Sequence, residues 1–142
     1  MESMTVRNCD ELTLDDLYKH FGATIVKAES LEWAWPKRGR PACAKCIEVL
    51  RQFAQGAATT DDVKLQFKTM TKLSDEVLLN DMETNAVFCL AETAHAAAHL
   101  GHLVVSMSKA GKANREYDSL QKAYVMFGLE GVERFADNVH RI

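Results

Sequence analysis

Proline is almost missing from this chain, with two in 142 residues, and glycine is sparse at seven. Both residues disfavour helix interiors, so their scarcity predicts long regular elements joined by short connections. No segment approaches the roughly 18 consecutive apolar residues that a membrane-spanning helix needs, and no membrane partner is expected. The opening stretch "MESMTVRNCDELTLDD" carries early acids and no apolar run, which is not the pattern of a secretory leader. Four cysteines without a leader read as reduced thiols rather than a disulfide framework, so the expected compartment is the cytoplasm. A formal charge of −3 is too mild to call for a strongly charged partner. The sequence has no Gly-rich phosphate loop, serine-nucleophile elbow or recognisable carboxylate pair, which weighs against the commonest catalytic arrangements.

What is present is ordinary globular composition, 47% hydrophobic and 26% charged. The length suits one domain over residues 1–142, with residues 1–12 a flexible N-terminus. Thr13 is placed to cap a short helix with Leu14, Leu17, Tyr18 and Phe21 on one face, and Gly22 to stop it. Residues 23–35 are ambiguous between a short strand at 23–28 and irregular or helical structure, and the lack of a partner strand favours the latter. Pro41 suits the first turn of a second helix and Gly56 its end. Thr59 and Thr60 followed by Asp61 and Asp62 start a third, with Val63, Phe67, Met70 and Leu73 as its buried stripe. Ser74-Asp75-Glu76 can restart that helix or cap another. The longest helical signal runs over about 81–109, and Gly111 is placed to end it. A fifth helix would bury Tyr117, Leu120, Tyr124 and Phe127 and stop at Gly128. A sixth would bury Leu129, Val132, Phe135 and Val139. The expected fold is all-α, an irregular single-domain bundle of about five or six helices around the long alanine-rich one.

Charge is uneven along this frame. Residues 1–35 hold three basic and seven acidic residues, and residues 36–70 hold seven basic and three acidic. The basic stretch opens with "WAWPKRGRPACAKC". Its "PKRGRP" resembles the core of the AT-hook, a peptide that lies extended in the minor groove of A·T tracts. The resemblance covers about six residues and implies groove contact by the arginines, whose charge suits that narrow groove. Trp33 and Trp35 can stack on bases, although tryptophans two apart are more often one buried and one partly exposed. Trp33, Trp35, Lys37, Arg38 and Arg40 are therefore the candidate contacts for a partner protein or nucleic acid. The alternative is a solvated loop whose proline begins a helix.

Two further clusters carry possible chemistry. Cys43 and Cys46 form a CxxC at a helix start, a spacing used for thiol exchange or as half of a zinc site. Cys43, Cys46, Leu50 and Phe53 also fall on one helical face, which reads as core packing. Glu92, His95, His99 and His102 share one face of the long helix. Histidines four apart can direct ring nitrogens at one ion, or simply line its polar side. Joined, Cys43, Cys46, His95 and His99 would make a tetrahedral Cys₂His₂ zinc site formed by the tertiary fold.

The function expected first is a small cytoplasmic, non-enzymatic helical protein that binds another protein as an adaptor, inhibitor or regulatory subunit, with no cofactor. Nucleic-acid association through residues 37–51, braced by that zinc site, is the alternative. A metal- or thiol-dependent enzyme built on the histidines or the CxxC comes third. The histidine face can also serve self-association.

Overall fold

The structure, a computed structural model, describes residues 11–108 and 115–141. Five α-helices lie among them: α1 (Leu14–Glu29), α2 (Arg40–Ala54), α3 (Thr60–Glu76), α4 (Asp81–Ser108) and α5 (Arg115–Arg141). Two single-turn 3-10 segments, Glu32–Ala34 and Lys37–Gly39, join α1 to α2. No strand occurs among the described residues, and the architecture is an all-α bundle. Residues 1–10, which hold Cys9, and the expected ends at Lys109 and Gly111 lie outside the described residues.

Three helices begin on the same chemistry. A backbone N–H in the first turn of a helix lacks a partner within the helix, and a reciprocal side-chain pair supplies one at each end. Thr13 Oγ1 accepts from the Asp16 N–H at 3.1 Å while Asp16 returns the bond to the Thr13 N–H at 2.9 Å. Thr59 and Asp62 repeat the arrangement at 3.2 and 2.8 Å. Asn80 and Glu83 do so for α4 at 2.8 and 3.0 Å. Asp16 and Asp62 both titrate below the usual carboxylate range because these hydrogen bonds favour the charged form. At the far end of α2, Gly56 takes a left-handed φ of 78°, a conformation open to glycine at little steric cost.

Helix α4 is the hub. It packs against α1, α2, α3 and α5, and its most extensive contact is with α5. Ala86, Val87, Leu90, Ala94, Ala97, Leu100 and Leu103 are all fully or almost fully buried. Alanine dominates because small side chains let neighbouring helices approach from several directions at once.

Four sequence expectations are corrected here. Helix α1 does not stop at Gly22 but runs through it to Glu29, absorbing the ambiguous stretch at 23–28. Helix α3 passes through Ser74-Asp75-Glu76 without a restart. The expected fifth and sixth helices are one helix, α5, which continues through Gly128. The stripe Tyr117, Leu120, Tyr124 and Phe127 faces outward, while Val125, Leu129, Val132, Ala136 and Val139 make the buried face.

Gly128 persists inside α5 for a packing reason. A Cβ there would lie 3.0 Å from Ala96 Cβ and 3.2 Å from the Glu92 carbonyl oxygen on α4. Gly22 has no such neighbour within 4 Å. Glycine in a helix interior costs about 0.8–1.0 kcal/mol relative to alanine. Gly22→Ala is therefore expected to raise the unfolding free energy by about 0.5–1 kcal/mol in urea titration. A loss of stability in that variant would contradict the continuous α1.

Candidate functional site

The outer face of α4 forms the floor of a trough. Helices α3 and α5 both run antiparallel to α4 and flank the histidine stripe: Thr60 meets Gly101 and Phe67 meets His95, while Asp118 pairs with Ser106, Gln121 with His99 and Asn138 with Asn85. Glu92, His95, His99 and His102 are all half-buried on this floor. The Phe67 ring of α3 stacks on His95 with centroids 4.9 Å apart. The Tyr124 ring of α5 lies 4.7 Å from His99. The two imidazoles are thus held between aromatic rings contributed by different helices.

Their hydrogen bonds set the proton positions. His99 Nδ1 lies 2.8 Å from Gln121 Oε1, and the Nε2 atoms of His99 and His95 are 3.2 Å apart. An amide oxygen only accepts, so His99 carries its proton on Nδ1 and presents a lone pair at Nε2. His95 then donates from its own Nε2. Burial holds His95, His99 and His102 below the ordinary imidazole range, and the Lys64 ammonium of α3 adds to that effect at His99 and His102. Asp61 partly offsets it at His102. Glu92 moves the other way: burial raises its carboxyl, and Arg134 opposes the shift.

The second surface of note is the outer edge of α5. Tyr117, Leu120, Tyr124 and Phe127 are 37%, 47%, 43% and 59% exposed. The Arg134 guanidinium sits 5.8 Å from the Phe127 ring centroid. This edge borders the trough through Tyr124. Across the trough, Lys64 and Lys68 are exposed one turn apart on α3.

The basic loop is folded into the molecule rather than extended. Trp35 is 5% exposed and Trp33 is 56% exposed, with Trp33 near the His140 ring at 6.2 Å. Lys37, Arg38 and Gly39 form a 3-10 turn, and Arg40 is already helical. Gly39 is buried because a Cβ would come within 2.6 Å of the Leu73 side chain on α3. Packing against α3, rather than approach to a groove floor, accounts for that glycine. Arg40 is held over the Trp35 ring at 6.0 Å, bonded to the Trp35 carbonyl at 3.4 Å and paired with Glu32 at 3.7 Å. Of the three cations, Lys37 and Arg38 are exposed and Arg40 is half-buried. A shallow cleft of about 300 Å³ nearby is lined by Glu29, Trp35, Glu48 and Arg51 among others. Arg51 closes on Glu29 with two hydrogen bonds.

Cys43 and Cys46 are fully buried with Leu50 and Phe53, on the face their spacing indicates. Burial pushes the Cys43 thiol up to about 12 against a weaker opposing effect of Arg40, and it raises Cys46 as well. Cys89 is also raised to about 12 by burial, and its thiol lies 3.6 Å from the Val132 carbonyl. Thiolate is the reactive form. In a Cys9→Ser variant, the native protein is therefore expected to react negligibly with a thiol reagent at pH 8, and three thiols should titrate on unfolding. Rapid labelling of one native thiol would show a reactive cysteine among them.

The structure does not bring Cys43, Cys46, His95 and His99 into one ligand set: among the described residues, no group of three or more His, Cys, Asp or Glu is placed to hold a metal ion. No family model, curated protein or solved structure matches the chain. Sequence reasoning missed the α5 edge, which it assigned to the core. Gly128 was an available signal that this segment packs closely on a neighbour instead of ending, because a glycine within a strong helical pattern marks close approach.

Proposed function

We propose that this protein is a non-enzymatic helical binding module, an adaptor, inhibitor or regulatory subunit, that docks an amphipathic helix of another protein along α5. One observation carries the reading: Leu120, Tyr124 and Phe127, at i, i+4 and i+7, keep roughly half of their surface outside the fold. That spacing matches how helices recognise one another. Full burial of each such side chain contributes about 1.5–3 kcal/mol, a gain that the isolated chain leaves unrealised. The trough sets the partner's other edge. A helix laid beside α5 meets Lys64 and Lys68 of α3, so its flank toward α3 is acidic.

Selection from a displayed library of amphipathic helices tests this, with the Leu120→Lys/Phe127→Lys variant as the counter-target. Enrichment of helices with an apolar stripe and one acidic edge, bound by the wild type and refused by the variant, supports the reading. Equal binding by both proteins removes it. Concentration-dependent dimerisation of the wild type, lost in the variant, would replace the partner helix with a second copy of this chain. Nucleic acid is the weaker reading, because Arg40 is already committed to Trp35 and Glu32.

A further inference from the structure

The trough floor has a property that helix docking does not use. The Nε2 atoms of His95 and His99 stand 3.2 Å apart on successive turns of α4. Two zinc–nitrogen bonds of about 2.0–2.1 Å at a tetrahedral angle place their nitrogens about 3.3 Å apart. The pair is therefore spaced as a chelate without rearrangement of the backbone.

The packing and hydrogen bonds around the pair favour the same chemistry, while the Lys64 ammonium of α3 acts against it. Metal-bound histidines almost always donate the other ring N–H to an acceptor, which fixes the tautomer and the ring plane. Gln121, itself buried, does this for His99 at 2.8 Å and leaves Nε2 as the ligand atom. Phe67 and Tyr124 brace the two rings from outside at 4.9 and 4.7 Å.

We propose that His95 and His99 form a two-histidine chelate for a borderline divalent cation of the Zn²⁺, Ni²⁺ or Cu²⁺ class. Imidazole suits these ions, whereas Mg²⁺ and Ca²⁺ prefer oxygen ligands. No third protein ligand of the His, Cys, Asp or Glu type joins the pair among the described residues, so water completes the coordination. On binding, the His95 proton moves from Nε2 to Nδ1, and the cation replaces the N–H···N hydrogen bond with no net release of protons.

The test is titration of the full chain with Zn²⁺, read by calorimetry and by long-range ¹H–¹⁵N spectra of the imidazoles. One equivalent should bind saturably, with the Nε2 resonances of His95 and His99 shifting together and both rings ending as Nδ1–H tautomers. His95→Ala and His99→Ala should each abolish saturable binding while circular dichroism stays helical. Loss of a second-sphere partner typically costs about 10–100-fold in metal affinity, and Gln121→Ala should fall in that range. His102→Ala and Cys43→Ser/Cys46→Ser should bind as the wild type does. Absence of saturable binding overturns the site, as does binding that survives His99→Ala. Loss of binding in the cysteine variant would replace the pair with the four-ligand Cys₂His₂ site.

Discussion

Leu129→Ala is expected to lower the unfolding free energy by about 2–5 kcal/mol, whereas Phe127→Ala should change it by no more than about 1 kcal/mol. The two residues are two apart on α5 and comparable in apolar size. Leu129 is fully buried and Phe127 is 59% exposed. Truncating Leu129 leaves a cavity in a close-packed interior and forfeits dispersion contacts on every side. Truncating Phe127 removes a ring that is already more than half exposed and a cation–π contact worth about 0.5–1 kcal/mol. Chemical denaturation of both variants reads the difference directly. Equal, large losses would put the outer stripe of α5 back in the core and remove the docking surface with it.

Gly128→Leu should also be damaging in this helix, at about 2 kcal/mol net. A Cβ alone meets Ala96 Cβ at 3.0 Å and the Glu92 carbonyl at 3.2 Å, and the latter is backbone that cannot rotate away. Overpacking of an interior typically costs about 1–3 kcal/mol, and a branched four-carbon side chain lies at the upper end. The gain in helix propensity on losing glycine, about 1 kcal/mol, does not offset it. Calorimetric melting is the readout, and a melting temperature at or above that of the wild type would show that α4 and α5 do not approach closely here. The opposite sign expected for Gly22→Ala makes the two glycines a matched pair, since both lie inside helices and only one touches a neighbour.

These glycines also mark where the sequence was legible and where it was not. The T-x-x-D starts at Thr13 and Thr59 were readable because capping is local: four consecutive residues contain both partners of the bond. The core role of Cys43 and Cys46 was readable for a related reason, since periodicity with Leu50 and Phe53 defines a single face. Periodicity does not say which way a face points. Tyr117, Leu120, Tyr124 and Phe127 satisfy the helical repeat as well as Val125, Leu129 and Val132 do, so spacing alone assigned them to the core. Packing decided otherwise, because α5 lies against an alanine-rich helix with Gly128 at the close approach and Val125, Met126, Leu129 and Val132 filling the interior. Gly22 and Gly128 look alike in sequence as helix stops, yet each is carried through by an interior that supplies enough contact to override local preference.

The site was legible in part. The spacing of His95, His99 and His102 placed them on one face of α4, and the structure keeps them there. Their neighbours Phe67, Gln121 and Tyr124 come from α3 and α5, at sequence separations no local pattern reports. The basic loop was misleading for the same reason: Gly39 answers to Leu73, and Arg40 to Trp35 and Glu32.

The most direct measurement of the docking claim is a footprint. Backbone amide shifts of the ¹⁵N-labelled full chain should be followed as a helix selected on the wild type is added. Shifts concentrated along Leu120 to Phe127 and at Lys64 and Lys68, and absent in the Leu120→Lys/Phe127→Lys variant, are the predicted result. A footprint centred on Trp33, Lys37 and Arg38, with α5 unperturbed, would contradict it.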